Sequence, residues 1–195
     1  MATPTPTTTI TPLFGGAITA YIPPAFVDSS DFRKIPDNQE VYVDVATDQS
    51  IIIELLQMVE EAEGEGVARY HFQQLGEDND AADTQITSIV TLSPAEVPNM
   101  PPTAIPILLT GTQSITKFNE SGSEATNFVG ILLAVIRLPQ VTTDMVISYN
   151  LPLAIGPQSS SRVIAAARPA SPEAGLEEFK RVLASLLIKD WGLFQ

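Results

Sequence analysis

The sequence predicts an α+β domain in which one antiparallel β-sheet is sandwiched between helices on both faces. Three observations carry that prediction. The second half holds four segments, 84–92, 104–117, 127–138 and 144–151, rich in Ile, Val, Leu and Thr and separated by turn residues. The links at 118–126 and 139–143 are shorter than the roughly dozen residues that a parallel crossover needs, so these strands should form an antiparallel meander. Helical apolar stripes stand on either side of that run in the sequence, which supplies a layer for each face.

The opening MATPTPTTTITP is uncharged and rich in Thr and Pro, and residues 1–12 read as a flexible tail ahead of a single domain over 13–195. It has neither the basic start and apolar core of a signal peptide nor the Arg of a transit peptide, which points to a soluble intracellular protein. Leu13-Phe14-Gly15-Gly16 suggests a bend where backbones pack closely. Residues 17–22 read as a strand closed by Pro23-Pro24. A short turn follows, capped by Asp28, Ser29 or Ser30 and ending before Pro36. Residues 39–45 alternate as a half-buried strand, with Val41, Val43 and Val45 on one side and Tyr42 and Asp44 on the other.

Asp48-Gln49-Ser50 should start a helix, because Ile52, Leu55, Leu56 and Val59 fall at i, i+3, i+4 and i+7. A short second helix is expected over 67–75, with Ala68, Phe72 and Leu75 on one face, then an acidic loop over 76–83. Leu132 to Ile136 is apolar at every position, so that strand should be central and covered on both faces. The Ser/Pro/Ala-rich stretch 154–172 reads as an exposed loop. A last helix over 172–189 has Pro172 in its first turn and Glu173, Glu177 and Glu178 near its positive end. Its buried stripe is Leu176, Phe179, Leu183, Leu186 and Leu187.

Composition removes whole classes of function. The chain has 195 residues and 44% hydrophobic content, enough for a sizeable core. Against 23 acids stand 10 Lys and Arg, a net charge of −13, which argues against nucleic acid or an anionic membrane as partner. Segment 28–96 alone carries 16 of the acids and only three bases, Arg33, Lys34 and Arg69, so the partner of such a face should be basic. There is no cysteine and one histidine, which excludes disulfides, thiolate nucleophiles and multi-histidine metal sites. No apolar run is long enough for a membrane-spanning helix.

Catalytic chemistry finds little footing. A Ser–His–Asp arrangement would have to use His71, which sits between two aromatics with no G-x-S-x-G motif in the chain. Paired carboxylates could act as in glycosidases, but among 23 acids some pair always looks plausible. Leu109-Thr110-Gly111-Thr112 has one glycine inside a strand and is not a phosphate-binding loop. Asn119-Glu120-Ser121 matches a glycosylation sequon that an intracellular chain would not use. The expectation is a non-enzyme without cofactor or metal.

One set of local patterns remains. It runs LFGGAI at 13–18, Pro23-Pro24-x-Phe26-x-Asp28, then Arg33-Lys34-Ile35-Pro36-Asp37-Asn38-Gln39-Glu40-Val41. Thr47-Asp48-Gln49-Ser50-Ile51-Ile52-Ile53-Glu54-Leu55-Leu56, Ala68-Arg69-Tyr70-His71-Phe72, Ile136-Arg137-Leu138-Pro139-Gln140 and Thr143-Asp144 follow in order. Together these resemble the Ran guanine nucleotide release factor family, the Mog-type nuclear import factors, densely over 13–76 and again over 131–152. The resemblance implies the helix–sheet–helix sandwich shared with the PsbP proteins of photosynthesis. It implies a nuclear protein, present also in the cytoplasm, that binds the small GTPase Ran and promotes release of its guanine nucleotide. With no sequence feature pointing to a stable oligomer, a monomer is the default expectation. The family's Ran-binding acids lie in a P-D-x-Q-E motif, here Asp37 and Glu40; Asp28, Arg33, Asn38 and Gln39 also match the pattern. Rival readings are a PsbP-like accessory subunit, an acidic interaction module without release activity, and a carboxylate hydrolase. The intact motif weighs against the first.

Overall fold

The computed structural model describes residues 9–117, 120, 122–164 and 170–194. Its strands in chain order are β1 (Ile10–Leu13), β2 (Ile18–Tyr21), β3 (Val27–Asp28), β4 (Gln39–Asp44) and β5 (Gln49–Gln57). After helix α1 (Glu65–Asp78) come β6 (Asp83–Thr91), β7 (Ile105–Thr116), β8 (Thr126–Leu138) and β9 (Thr143–Ala154). The short α2 (Ser161–Ile164), α3 (Pro172–Ser185) and β10 (Leu187–Ile188) complete the order.

Seven strands form one sheet in the order β3-β4-β5-β9-β8-β7-β6, and β1-β2-β10 form a second, smaller one. Every pairing is antiparallel, and β6 to β9 run as the meander that the short links require. β8 lies inside the sheet, and residues 130–138 are all buried, as an uninterrupted apolar run demands. On one face Val67, Ala68 and Phe72 of α1 pack over Ile107, Leu109, Ile131, Leu133, Val135 and Val146. On the other, Phe179, Val182 and Leu183 of α3 join Ile18 and Ala20 of the small sheet over Ala134, Ile136, Met145, Ile147 and Tyr149. The sandwich therefore holds, with helices on both faces.

The structure revises six of these expectations, wholly or in part. The helix expected from Asp48 is β5, hydrogen-bonded to β4 on one edge and β9 on the other. Both faces of an inner strand are covered, so apolar residues occur on both, and the spacing of Ile52, Leu55, Leu56 and Val59 imitates a helical stripe. The β-branched run Ile51-Ile52-Ile53 suits the pleat, and Ile51 and Ile53 are fully buried on the α3 side. Residues 10–12 of the expected tail belong to β1, which pairs with β2; residues 1–8 of that tail lie outside the described residues. β4 is not half-buried but carries buried residues on both faces, Val41 on one and Tyr42 and Asp44 on the other, while Val45 lies beyond the strand and is 63% exposed.

The last helix stops at Ser185, whose Oγ donates to the Val182 carbonyl at 2.8 Å and accepts the Tyr21 N–H at 2.7 Å. Leu187 and Ile188 then pair with β2, which leaves Leu187 outside the expected buried stripe. Pro172 does open α3, behind Ser171, which caps the Ala174 N–H. The stretch after β9 is exposed at Ala154, Pro157, Gln158, Ser160 and Arg162 but is also anchored: Asn127 accepts the Gly156 N–H at 2.9 Å and donates to Ser159, and Ser161 is fully buried. Residues 165–169 of the expected loop lie outside the described residues. α1 is longer than expected and absorbs Gly76, Glu77 and Asp78.

Gly111 shows how tightly α1 is seated. A Cβ there would lie 2.5 Å from the Gln85 carbonyl oxygen and 2.7 Å from the Phe72 ring, so only glycine permits this approach of helix and strands. Gly111→Ala is expected to lower stability by about 1–3 kcal/mol, read as a lower urea midpoint with an unchanged m-value.

Candidate functional site

The loop between β3 and β4 is built by its polar residues. Asp28 accepts the Ser30 N–H at 2.8 Å and opens a single 3-10 turn, where the Phe32 and Arg33 N–H groups return to the Ser29 carbonyl. Pro36 directs the chain into a second turn, closed by the Gln39 N–H donating to the Pro36 carbonyl at 3.0 Å. Asp37 stands exposed at its tip. Asn38 is held to β5 twice, accepting the Leu55 N–H at 2.9 Å and donating from Nδ2 to the Leu55 carbonyl at 3.3 Å. A rigid strand thus presents a short exposed loop, the usual arrangement for binding residues.

β4 then sends alternate side chains to opposite faces. Gln39 faces the α1 side, where its Nε2 donates to Glu54 Oε1 at 2.6 Å. Glu40 faces the α3 side with Tyr42, half-buried, and accepts the N–H of Phe14. That N–H belongs to a tight turn with positive φ at Phe14 (49°), Gly15 (65°) and Gly16 (93°), a run for which the two glycines are the suitable residues. Burial pushes the Glu40 carboxyl above its ordinary value; the Phe14 N–H opposes this, and the charge of Asp28 adds to it. Burial, then the charges of Glu40 and Asp28, also raise the Tyr42 phenol.

The structure therefore joins some of the six sequence-derived residues and separates others. Asp28 and Glu40 share one electrostatic neighbourhood. Asp37 and Asn38 line an open depression with Leu55, Gln57, Thr142 and Phe194. Gln39 turns to the opposite face from Glu40. Arg33 borders a different hollow, with Val41, Val43, Asp48 and Lys117.

Two features were not found from the sequence. Phe32 is 74% exposed in the same loop, an aromatic side chain placed as a partner would use it. Its signal was an aromatic between Asp31 and Arg33, in a stretch with nothing apolar to pack on. The Gln39–Glu54 pair was hidden because residues 50–59 read as a helix.

The three later motif pieces meet in a closed cluster between α1 and the sheet. Asp144, fully buried, accepts from Arg137 Nε at 2.8 Å and Nη2 at 3.0 Å and from the Val59 N–H at 3.1 Å, and lies 3.0 Å from His71 Nε2. Arg137 also donates to the Ala62 and Val59 carbonyls. His71 is thus committed to a structural ion-pair network. Among the described residues no group of three or more His, Asp or Glu side chains could hold a metal ion, and no helix is long and apolar enough to cross a membrane.

Comparison with known proteins gives a consistent result. The family model described as Ran-interacting Mog1 protein matches residues 11–152. A zebrafish (Danio rerio) Ran guanine nucleotide release factor is 41% identical over 185 residues, covering 94% of this chain and 98% of that protein. The Schizosaccharomyces pombe nuclear import protein mog1 is 36% identical over 186 residues, 93% of this chain and 98% of that protein. The crystal structure of the Saccharomyces cerevisiae Ran-binding protein Mog1p superposes with a TM-score of 0.70 at 29% identity, covering 96% of this chain and 98% of that one.

Proposed function

The chain belongs to the family of Ran-interacting Mog1 proteins, and on that premise we propose that it binds the small GTPase Ran, promotes release of its guanine nucleotide and supports nuclear protein import. The observation that carries this reading is the identity of 41% and 36% with relatives of those names, spread over nearly the whole chain. It is a binding and regulatory factor rather than a classical enzyme, a monomer working in the nucleus and the cytoplasm.

Asp37 is the central contact, with Glu40 and Asp28 behind it and Asn38, Gln39, Arg33 and Phe32 around it. An exposed carboxylate on an anchored loop suits a charge-assisted bond to a Lys or Arg of the GTPase. Release follows from differential affinity: the factor binds the nucleotide-free state more tightly than the nucleotide-bound state and so shifts the equilibrium toward it.

The test is release of a fluorescent guanine nucleotide from purified Ran. The wild-type chain should accelerate release. Asp37→Ala, which removes no internal hydrogen bond among the described residues, should weaken binding by about 1–3 kcal/mol with unchanged thermal unfolding. Binding without acceleration would keep the partner and discard the release activity.

A further inference from the structure

A cleft of about 270 Å³ opens between the C-terminal half of α1 and the strands beneath it. Leu56, Leu75, Leu133, Val146 and the Tyr70 ring give it apolar walls, and Glu54 and Asp78 give it two carboxylates. Among the described residues no Lys or Arg lines it. Inside stands Ser148, 2% exposed, whose Oγ has no hydrogen-bond partner among the described residues. Glu54 pairs with Val146 across β5 and β9, so Ser148 is its diagonal neighbour on the same face, roughly 7–8 Å away. α1 points the negative end of its dipole at this place, since Leu75 and Asp78 belong to its last turn.

Each of these features favours the same kind of guest. Two acids and a helix C-terminus attract positive charge, a buried hydroxyl oxygen awaits a donor, and the apolar walls suit a methylene stem. Burial, reinforced by the charge of Asp78 and opposed by the Gln39 bond and by His71 at the back of the cleft, raises the Glu54 carboxyl, and a cation would relieve that cost. The neighbouring Arg137–Asp144–His71 cluster does not compete, because its cation is already bound internally.

We propose that this cleft binds the cationic end of an alkylguanidinium or alkylammonium group, the guest seated between Glu54 and Ser148 with its stem along Leu56, Leu75 and Val146. The group could belong to a basic side chain of a protein partner or to a free small cation. The proposal concerns the chain by itself and does not depend on the Ran reading.

The test titrates the full-length, isotopically labelled chain with n-butylguanidine, using n-butylurea as the neutral control of the same shape, and follows amide resonances. Saturable shifts at Leu75, Asp78 and Ser148 are expected, with affinity about tenfold or more lower for the urea and for Glu54→Gln. Should Glu54→Gln not fold, Ser148→Ala serves instead, with a several-fold loss expected. No saturable shift at the cleft, an equal response to the urea, or an affinity unchanged in the variant would overturn the proposal. A second arm separates the sources. Displacement of Ran by saturating butylguanidine marks the cleft as the seat of a basic side chain of Ran; Ran binding that is unaffected marks a site for a free cation, and either supports the cleft as a cation site.

Discussion

Arg137→Ala is expected to destabilise the protein by about 3–5 kcal/mol, because it strands a carboxylate that has no access to water. Asp144 is 0% exposed and receives two of its bonds from the Arg137 guanidinium. The same guanidinium satisfies the carbonyls of Val59 and Ala62, so three groups on two chain segments lose a partner together. Burial alone would raise the Asp144 pKa, but the bonds from Arg137, His71 and the Val59 N–H outweigh it and bring the value to about 2. A carboxyl lowered in this way contributes stability above its unfolded pKa near 4 and loses it as pH falls toward 2, about 2 kcal/mol in all. Urea denaturation at pH 7 should show the large gap between wild type and Arg137→Ala, and the gap should narrow between pH 5 and pH 2. Arg137→Lys, which keeps the charge but gives up the planar fork, should fall between the two. Equal stability of all three at pH 7 would mean that the cluster relaxes around a free Asp144.

This cluster also marks what could be read from the sequence. Tyr70-His71-Phe72, Ile136-Arg137-Leu138 and Thr143-Asp144 carried the family resemblance as disconnected pieces, and the fold shows that they are one buried network. Local patterns placed α1, the meander from β6 to β9 and the position of β8, because alternation, turn residues and short links act within a few residues of one another. β5 was missed because an inner strand covered on both faces leaves no alternation to detect. β10 was missed because its only reason to be a strand is the free edge of β2, far away in the sequence. At the candidate site the turn around Asp37 was legible from Pro36, Asp37 and Asn38. That Glu40 is tied to Phe14 was not, since nothing in a sequence shows which N–H a carboxylate will meet.

That tie makes Glu40 the position where scaffold and contact must be separated, and Glu40→Gln separates them. The amide oxygen of Gln keeps an acceptor for the Phe14 N–H, while the charge disappears. Because burial raises the Glu40 carboxyl, the protonated form is favoured by folding, and this contribution is present at low pH and lost as pH rises through the folded value. At pH 7 the ionised side chain is therefore a cost to the fold, and Glu40→Gln should unfold at the wild-type midpoint or slightly above it. Glu40→Ala leaves the N–H of a left-handed residue without a partner and should lose about 1–2 kcal/mol. The two variants should agree in the release assay despite this difference: a desolvated charge facing a basic partner is worth about 2–5 kcal/mol, so each should slow Ran nucleotide release about tenfold or more. Full activity of Glu40→Gln with loss in Glu40→Ala would instead mean that Glu40 serves the partner only by holding the Phe14 turn. Asp37 and Phe32 would then have to supply the contact energy from the loop itself.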